Sequence, residues 1–394
     1  LVSDRAFAQF STTKETEMFK RLMLSATVIG TLAVPALAQV KVGVITGATG
    51  PGASLGIPYK NTFTVLPKTL GGQAVQYIIL DDATDPTNAV KLARKLVTED
   101  KVDLLIGSSS VPAATAITDV AAELKTPQIA LSPVGAAAAK NPWVYSIPQP
   151  ASLMMGAVAE NMKTRGIKRV AYIGFSDSWG DLVLNGLKAN AEAAGVTVVA
   201  EERYARLDTS VAGQILKVIA SNPDAVVVGG SGTPGALPQM TLAERGFKGP
   251  VYHNHGIINR DFLRVGGKSL EGAMAPTGPV MVAEQLPDSN PVKKVALEYT
   301  KLYEASFGAG SRNAFSAYSY DAYLLADKAV PVAMKNAKPG TPEFRQALRD
   351  ALEQVKEVVG THGVYSMSAT DHAGVDSRAR VLVRIENGDW KLVK

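Results

Sequence analysis

The chain is 394 residues long, more than one hydrophobic core usually serves, so two domains are expected. With 46% hydrophobic, 20% charged and 6% aromatic residues it has the makeup of a water-soluble α/β protein, and the lack of any cysteine removes disulfides, thiolate metal sites and cysteine nucleophiles together. The formal charge of +5 comes from Lys and Arg scattered among Glu and Asp with no basic tract, which argues against nucleic acid and leaves a weak bias towards anionic ligands.

Residues 1–17 are polar and patternless and precede Met18, and we set them aside as lying ahead of the translated start. Residues 18–38 then read as a signal peptide: Lys20 and Arg21 form a charged region, Leu22 to Val34 an apolar one, and Ala36-Leu37-Ala38 a small-x-small cleavage pattern. The apolar run is short for a membrane span, so cleavage after Ala38 and export to the periplasm are expected.

From Val40 onward strand-length apolar runs alternate with segments of helical period. The stretch VKVGVITGATGPGASLGIPYKN, residues 40–61, runs from strand through a glycine-rich loop into a helix. Gly47, Gly50 and Gly52 let the backbone turn tightly, and the loop's bare N–H groups with the positive end of the following helix read as an anion site. Further strands are expected at Tyr77–Leu80, Leu104–Gly107 and Gln128–Leu131, with helices near 57–69, 87–99 and 113–124; Asp85-Pro86 supplies a cap and a first-turn proline for the second of these. The βαβ connections imply a parallel sheet covered on both faces.

After Ile147-Pro148-Gln149-Pro150, an extended crossing, the same rhythm begins again. Strands are expected at Arg169–Phe175, Thr197–Glu201, Ala225–Gly229 and Val251–His253, with helices near 152–164, 180–194, 210–221 and 235–245. Ala275-Pro276-Thr277-Gly278-Pro279 reads as a second crossing. Residues 290–307, 315–335 and 342–353 read as helices, and Arg380–Ile385, Asn387-Gly388 and Trp390–Val393 as a hairpin. Two parallel sheets facing each other place a cleft beyond the carboxyl ends of their strands.

Enzymatic readings find little support. Thr46 to Gly52 has the spacing G-x-x-G-x-G, not the dinucleotide G-x-G-x-x-G, and none of the twelve tyrosines has a lysine four residues on. Gly229-Gly230-Ser231-Gly232-Thr233 lacks the final glycine of a nucleophile elbow. His253 and His255 sit two apart at a strand end and would share one face, but no third ligand accompanies them. Asp81, Asp82 and Asp85 are accounted for by a strand end and a helix cap.

Taken together, the leader, GATGPGASLG, DDATDPTNAVKLARKL, LLIGSSS, ALSPVGA and SDSWGDLVLNGLKANAEAAGVTVV resemble, in order over residues 40–394, the branched-chain amino-acid-binding family of type I periplasmic solute-binding proteins of ABC transporters. The resemblance implies an α/β fold of two Rossmann-like lobes with parallel sheets, joined by three hinge crossings. One lobe would hold residues 39–147 and 278–373, the other 148–277 and 374–394. It implies no enzymatic activity, cofactor or metal, a monomer, and delivery of a small ligand to a permease and its ATPase; a ligand-sensing receptor would use the same fold.

By the same resemblance, the ligand's carboxylate is held by Ser108, Ser109 and Ser110 with Ser132, Gly135 and Ala136. Ser54, Leu55 and Tyr59 line the first lobe; Trp179 covers the ligand from the second, beside Ser231 and Gly232. Amino-acid binders carry an acid after the strand matching Val251–His253 to take the ligand's ammonium, and this chain has Tyr252-His253-Asn254-His255-Gly256 there. His255 in that position shifts the expected ligand to a small organic carboxylate, an aromatic acid, with a neutral amino acid or amide as the alternative.

Overall fold

The structure is a computed structural model and describes residues 39–134 and 140–393. Strands β1 (Val40–Thr46), β2 (Thr69–Leu70), β3 (Gln73–Asp81), β4 (Leu104–Gly107), β5 (Gln128–Ala130) and β6 (Val144–Ser146) form one sheet, ordered β2-β3-β1-β4-β5-β6. All of its pairings are parallel except the short β2. Register is set along β1, whose Val42 faces Tyr77 of β3 on one side and Leu104 of β4 on the other.

Helices α1 (Ala53–Val65), α2 (Pro86–Thr98) and α3 (Val111–Glu123) connect these strands. One sheet face packs Val42, Val44, Leu104 and Ile129 against α1 and the helices Ala314–Met334 and Pro342–Glu353; the other packs Ile45 and Leu105 against α2 and α3. Burial on both faces is why β4 is apolar throughout and why Val42, Val44 and Ile45 of β1 are apolar as well. Asp85 caps α2 as expected, accepting from Asn88 N at 2.7 Å. α1 starts four residues before its expected position, because the tight turn Gly50–Gly52 leads straight into it and Pro58 lies inside the helix. Proline is favoured in a helix's first turn, and that preference set the later start.

The chain leaves the first sheet through Ile147–Pro150 and builds a second. Strands β7 (Arg169–Phe175), β8 (Thr197–Tyr204), β9 (Ala225–Gly229), β10 (Val251–His253) and β11 (Met274–Thr277) are parallel; α4 (Ala151–Thr164) and α5 (Ser178–Ala194) pack on them. After the small ribbon β12 (Val358–Val359) and β13 (Val364–Tyr365), the hairpin β14 (Val381–Glu386) and β15 (Asp389–Leu392) completes the order β15-β14-β11-β10-β9-β7-β8.

β11 corrects one expectation. Ala275, Pro276 and Thr277 form a strand pairing antiparallel with β14, where the prolines had suggested a crossing. The ladder between β11 and β10 stops at Met274, so Pro276 interrupts none of it.

Candidate ligand-binding site

The strand ends of the two sheets face each other across a narrow cavity lined from both sides. The first lobe contributes Leu55 and Tyr59 of α1, Ser109, Ser110 and Val111 where β4 turns into α3, and Leu131, Ser132 and Pro133 after β5. Phe315 and Tyr318 come from the helix Ala314–Met334, and Pro148 from the connection between the sheets. The second lobe contributes Trp179 at the start of α5, Arg206 after β8, Ser231 after β9, and His255 and Gly256 after β10.

Most polar groups here are held by the protein. Tyr59 donates its hydroxyl to Leu131 O at 2.6 Å, and burial lifts its pKa well above the ordinary phenol value, so it stays neutral. Tyr318 donates to Gln149 Oε1 at 2.6 Å. Ser109 Oγ accepts from Gly47 N at 2.8 Å. The Trp179 indole N–H reaches Gly230 O at 3.2 Å, and its ring meets His255 edge to face, centroids 5.3 Å apart. Asp177 fixes this tryptophan by capping α5 through the N–H groups of Trp179 and Gly180.

Two groups are buried without a partner. Ser110 occupies the N-cap position of α3, yet its Oγ makes no bond to the helix or to any other described residue. His255 is 3% exposed, and neither ring nitrogen has a hydrogen-bond partner among the described residues. Burial pushes its pKa down to about 3, so the ring is neutral at pH 7 and offers one donor and one acceptor. Buried polar atoms left unpaired cost about 1–3 kcal/mol each, which a ligand with oxygens at the right places would recover.

The cavity thus brings together Leu55, Tyr59, Ser109, Ser110, Ser132, Trp179, Ser231 and His255 from the residues expected at the site. Ser108 lies elsewhere, its hydroxyl donating to the buried Asp82 carboxylate. Ser54 and Gly232 meet each other between the lobes instead of lining the cavity: Thr233 N donates to Ser54 Oγ at 3.2 Å. Gly135 and Ala136 lie outside the described residues.

The glycine loop is a correction. Its donors already hold an anion, the chain's own Asp81, which accepts from Ala48 N at 2.9 Å, Thr49 N at 3.3 Å and Thr49 Oγ1 at 2.8 Å. His253 and His255 do not share a face either. His253 Nε2 pairs with Gln239 Oε1 and its ring packs on Phe262, while His255 turns to Trp179.

Arg206, Phe315, Tyr318 and Pro148 were not expected at the cavity. The prolines of 147–150 marked the connection without saying that it would form a wall. The helix itself was expected, but Phe315, Ser316, Ala317, Tyr318 and Ser319 are all buried, so burial gives no cue to which of them reach the cavity. Arg206 carried no signal at all.

A model of the family described as periplasmic binding protein matches residues 39–389. The chain belongs to that family. This binding protein is 47% identical to an extracellular ligand-binding receptor from Rhodopseudomonas palustris HaA2, covering 90% of this chain and 100% of that one, with a TM-score of 0.88. A benzoate-bound solute-binding protein of an ABC transporter from R. palustris shares the fold at 20% identity, with 90% and 95% of the chains covered and a TM-score of 0.75. A protein called an amino acid binding protein from Pseudomonas aeruginosa PAO1 is 24% identical over 265 residues, 62% of this chain and 68% of that one. The fold is that of the type I periplasmic binding proteins, and the chain is a non-enzymatic binding protein of that family.

Proposed function

We propose that the binding protein captures a small aromatic carboxylate and delivers it to the permease of an ABC importer. The observation that carries this is the chemistry of the cavity wall: no acidic residue lines it among the described residues, and the buried Ser110 Oγ stands unpartnered at the head of α3. A carboxylate there would accept from the Ser110 and Ser132 hydroxyls and gain from the positive end of α3. An amino acid brings an ammonium as well, and burying that without an anion costs several kcal/mol. Tyr59, Trp179, Phe315 and Tyr318 supply flat apolar faces suited to a ring. The benzoate complex of the R. palustris relative shows that this fold accepts such a ligand.

Calorimetry tests the reading. Benzoate-like or phenylpropanoid acids are expected to bind, with leucine, isoleucine and valine at least about a hundredfold weaker, roughly 2.7 kcal/mol. Tight leucine binding would overturn it in favour of the amino-acid alternative. Export with cleavage after Ala38 belongs to the same proposal. N-terminal sequencing of periplasmic material is expected to begin at Gln39, and recovery of the intact leader in membranes would refute it.

A further inference from the structure

We infer that Arg206 is a specificity-determining residue that reads a hydroxyl group on the far end of the ligand, so that the preferred ligands are ring-hydroxylated aromatic acids. The inference rests on the aromatic-carboxylate reading and deepens it. Arg206 lines the cavity from the second lobe, Ser110 from the first, and the Arg206 side chain is only 13% exposed. Its guanidinium lies over the Phe175 ring, 4.3 Å from the centroid. Nε donates to Asp177 Oδ2 at 2.6 Å and Nη1 to Ser231 Oγ at 3.1 Å. Two of the three nitrogens are therefore spent on orienting the group, and no bond from Nη2 is made among the described residues.

Ser231 packs directly on Gly256, the residue after His255: a Cβ on Gly256 would lie 2.9 Å from the Ser231 Cβ. Arg206, Ser231 and His255 thus form one polar end of the cavity. Asp177 already balances the charge of Arg206, and the buried imidazole is neutral, so this end offers hydrogen bonds without net charge. A second carboxylate there would be a buried charge with no counter-ion. A phenolic hydroxyl fits instead, because it accepts from Arg206 while donating its own proton to the bare nitrogen of His255. A site built to pair a ligand hydroxyl also rejects the analogue that lacks it, since its own buried polar groups are then left unpaired.

The test is calorimetry on the wild type, Arg206→Met, Arg206→Lys and Ser231→Ala with benzoate and cinnamate, each with and without a 4-hydroxyl, and with benzene-1,4-dicarboxylate. In the wild type the hydroxylated acid is expected to bind about ten- to a hundredfold tighter than its parent, the range of a hydrogen bond to a charged group. Arg206→Met should bring that ratio to within about twofold, with Arg206→Lys and Ser231→Ala in between. The dicarboxylate should gain nothing over benzoate. Equal wild-type affinities for the hydroxylated and parent acids, or tight dicarboxylate binding, would overturn this inference alone. So would an equal loss for both acids in Arg206→Met, since that would place Arg206 on the carboxylate. Failure of every aromatic acid to bind the wild type would remove the aromatic-acid reading as well.

Discussion

His255 stays neutral because burial withholds the water that its charged form needs, and the same holds for His253 and His362, each pushed down to about 3. In the unfolded chain all three titrate near their ordinary value of about 6.5. Below that pH the unfolded state takes up protons that the folded state refuses, so stability is lost as pH falls from about 6.5 towards 3. Asp321 works the other way. Burial raises it to about 6 against its hydrogen bonds from Thr361, Tyr365 and His362, so between its ordinary range and 6 the folded state binds the extra proton and gains on acidification. Asp82 and Asp103, also raised by burial, act in the same sense as Asp321, but the histidine shifts are the larger, and the melting temperature is expected to fall from pH 6.5 to 4.5. His253→Gln should flatten that slope, and a flat wild-type profile would show that these rings do titrate in the fold. At His255 itself, a glutamate would bury a second negative charge in the cavity and remove the imidazole that faces the far end of the ligand; His255→Glu is expected to weaken aromatic acids at least tenfold by calorimetry. This residue was legible in the sequence because it stands at a strand end where amino-acid binders carry an acid. Arg206 was not, because the segment Ala205 to Ser210 has no apolar alternation to show which way a side chain turns.

Glycines in strands and loops were legible as positions, and their reasons were not. The run Gly229-Gly230-Ser231-Gly232 reads as a flexible strand end, whereas β7 and β9 place Gly174 beside Gly229 as register partners under a single ring. Cβ atoms there would lie 2.0 Å and 1.8 Å from the Tyr172 hydroxyl, which donates to Gly180 O at 2.6 Å and so ties the sheet to the first turn of α5. That turn carries Trp179. Overpacking of this kind costs about 1–3 kcal/mol, so Gly229→Ala should destabilise by that amount in chemical denaturation, and Tyr172→Phe in the same chain should recover part of it. Strictly additive losses would show that the ring is not what the glycine accommodates. The loop after β1 misled for a related reason: its N–H groups do gather around an anion, but Asp81, at the end of the neighbouring strand β3, arrives there first. Spacing along the chain reveals the donors and not the acceptor, which comes from another element.

Across the whole molecule the repeated rhythm of the sequence corresponds to repeated topology. Leaving aside the short β2, the strands run β3-β1-β4-β5-β6 in one sheet and β8-β7-β9-β10-β11 in the other, the same order from the same right-handed connections. That order could be anticipated because the central strands, such as Leu104–Gly107 and Ala225–Gly229, are apolar runs separated by segments of helical period. How the two sheets meet could not, since contacts such as Thr233 N to Ser54 Oγ join residues 179 apart in sequence. With walls from both sheets around the cavity, the proposed capture has the lobes part for a ligand to enter and their contact re-form around it. Gly232 is where this can be tested without removing any polar group of the cavity. A Cβ at Gly232 would stand 2.5 Å from Leu55 Cδ1 and 2.8 Å from Ser54 Oγ across the lobe contact, and its φ of +59° adds strain for any other residue. X-ray scattering is expected to show the wild type contract on saturation with ligand, which is recovered chemically unaltered. Gly232→Ala should contract less and bind more weakly, chiefly through faster dissociation, because the closed state holds the ligand and is the one the added methyl obstructs. An unchanged wild-type radius of gyration at saturation would rule out hinge closure, and full contraction of Gly232→Ala would show that this contact is not part of it.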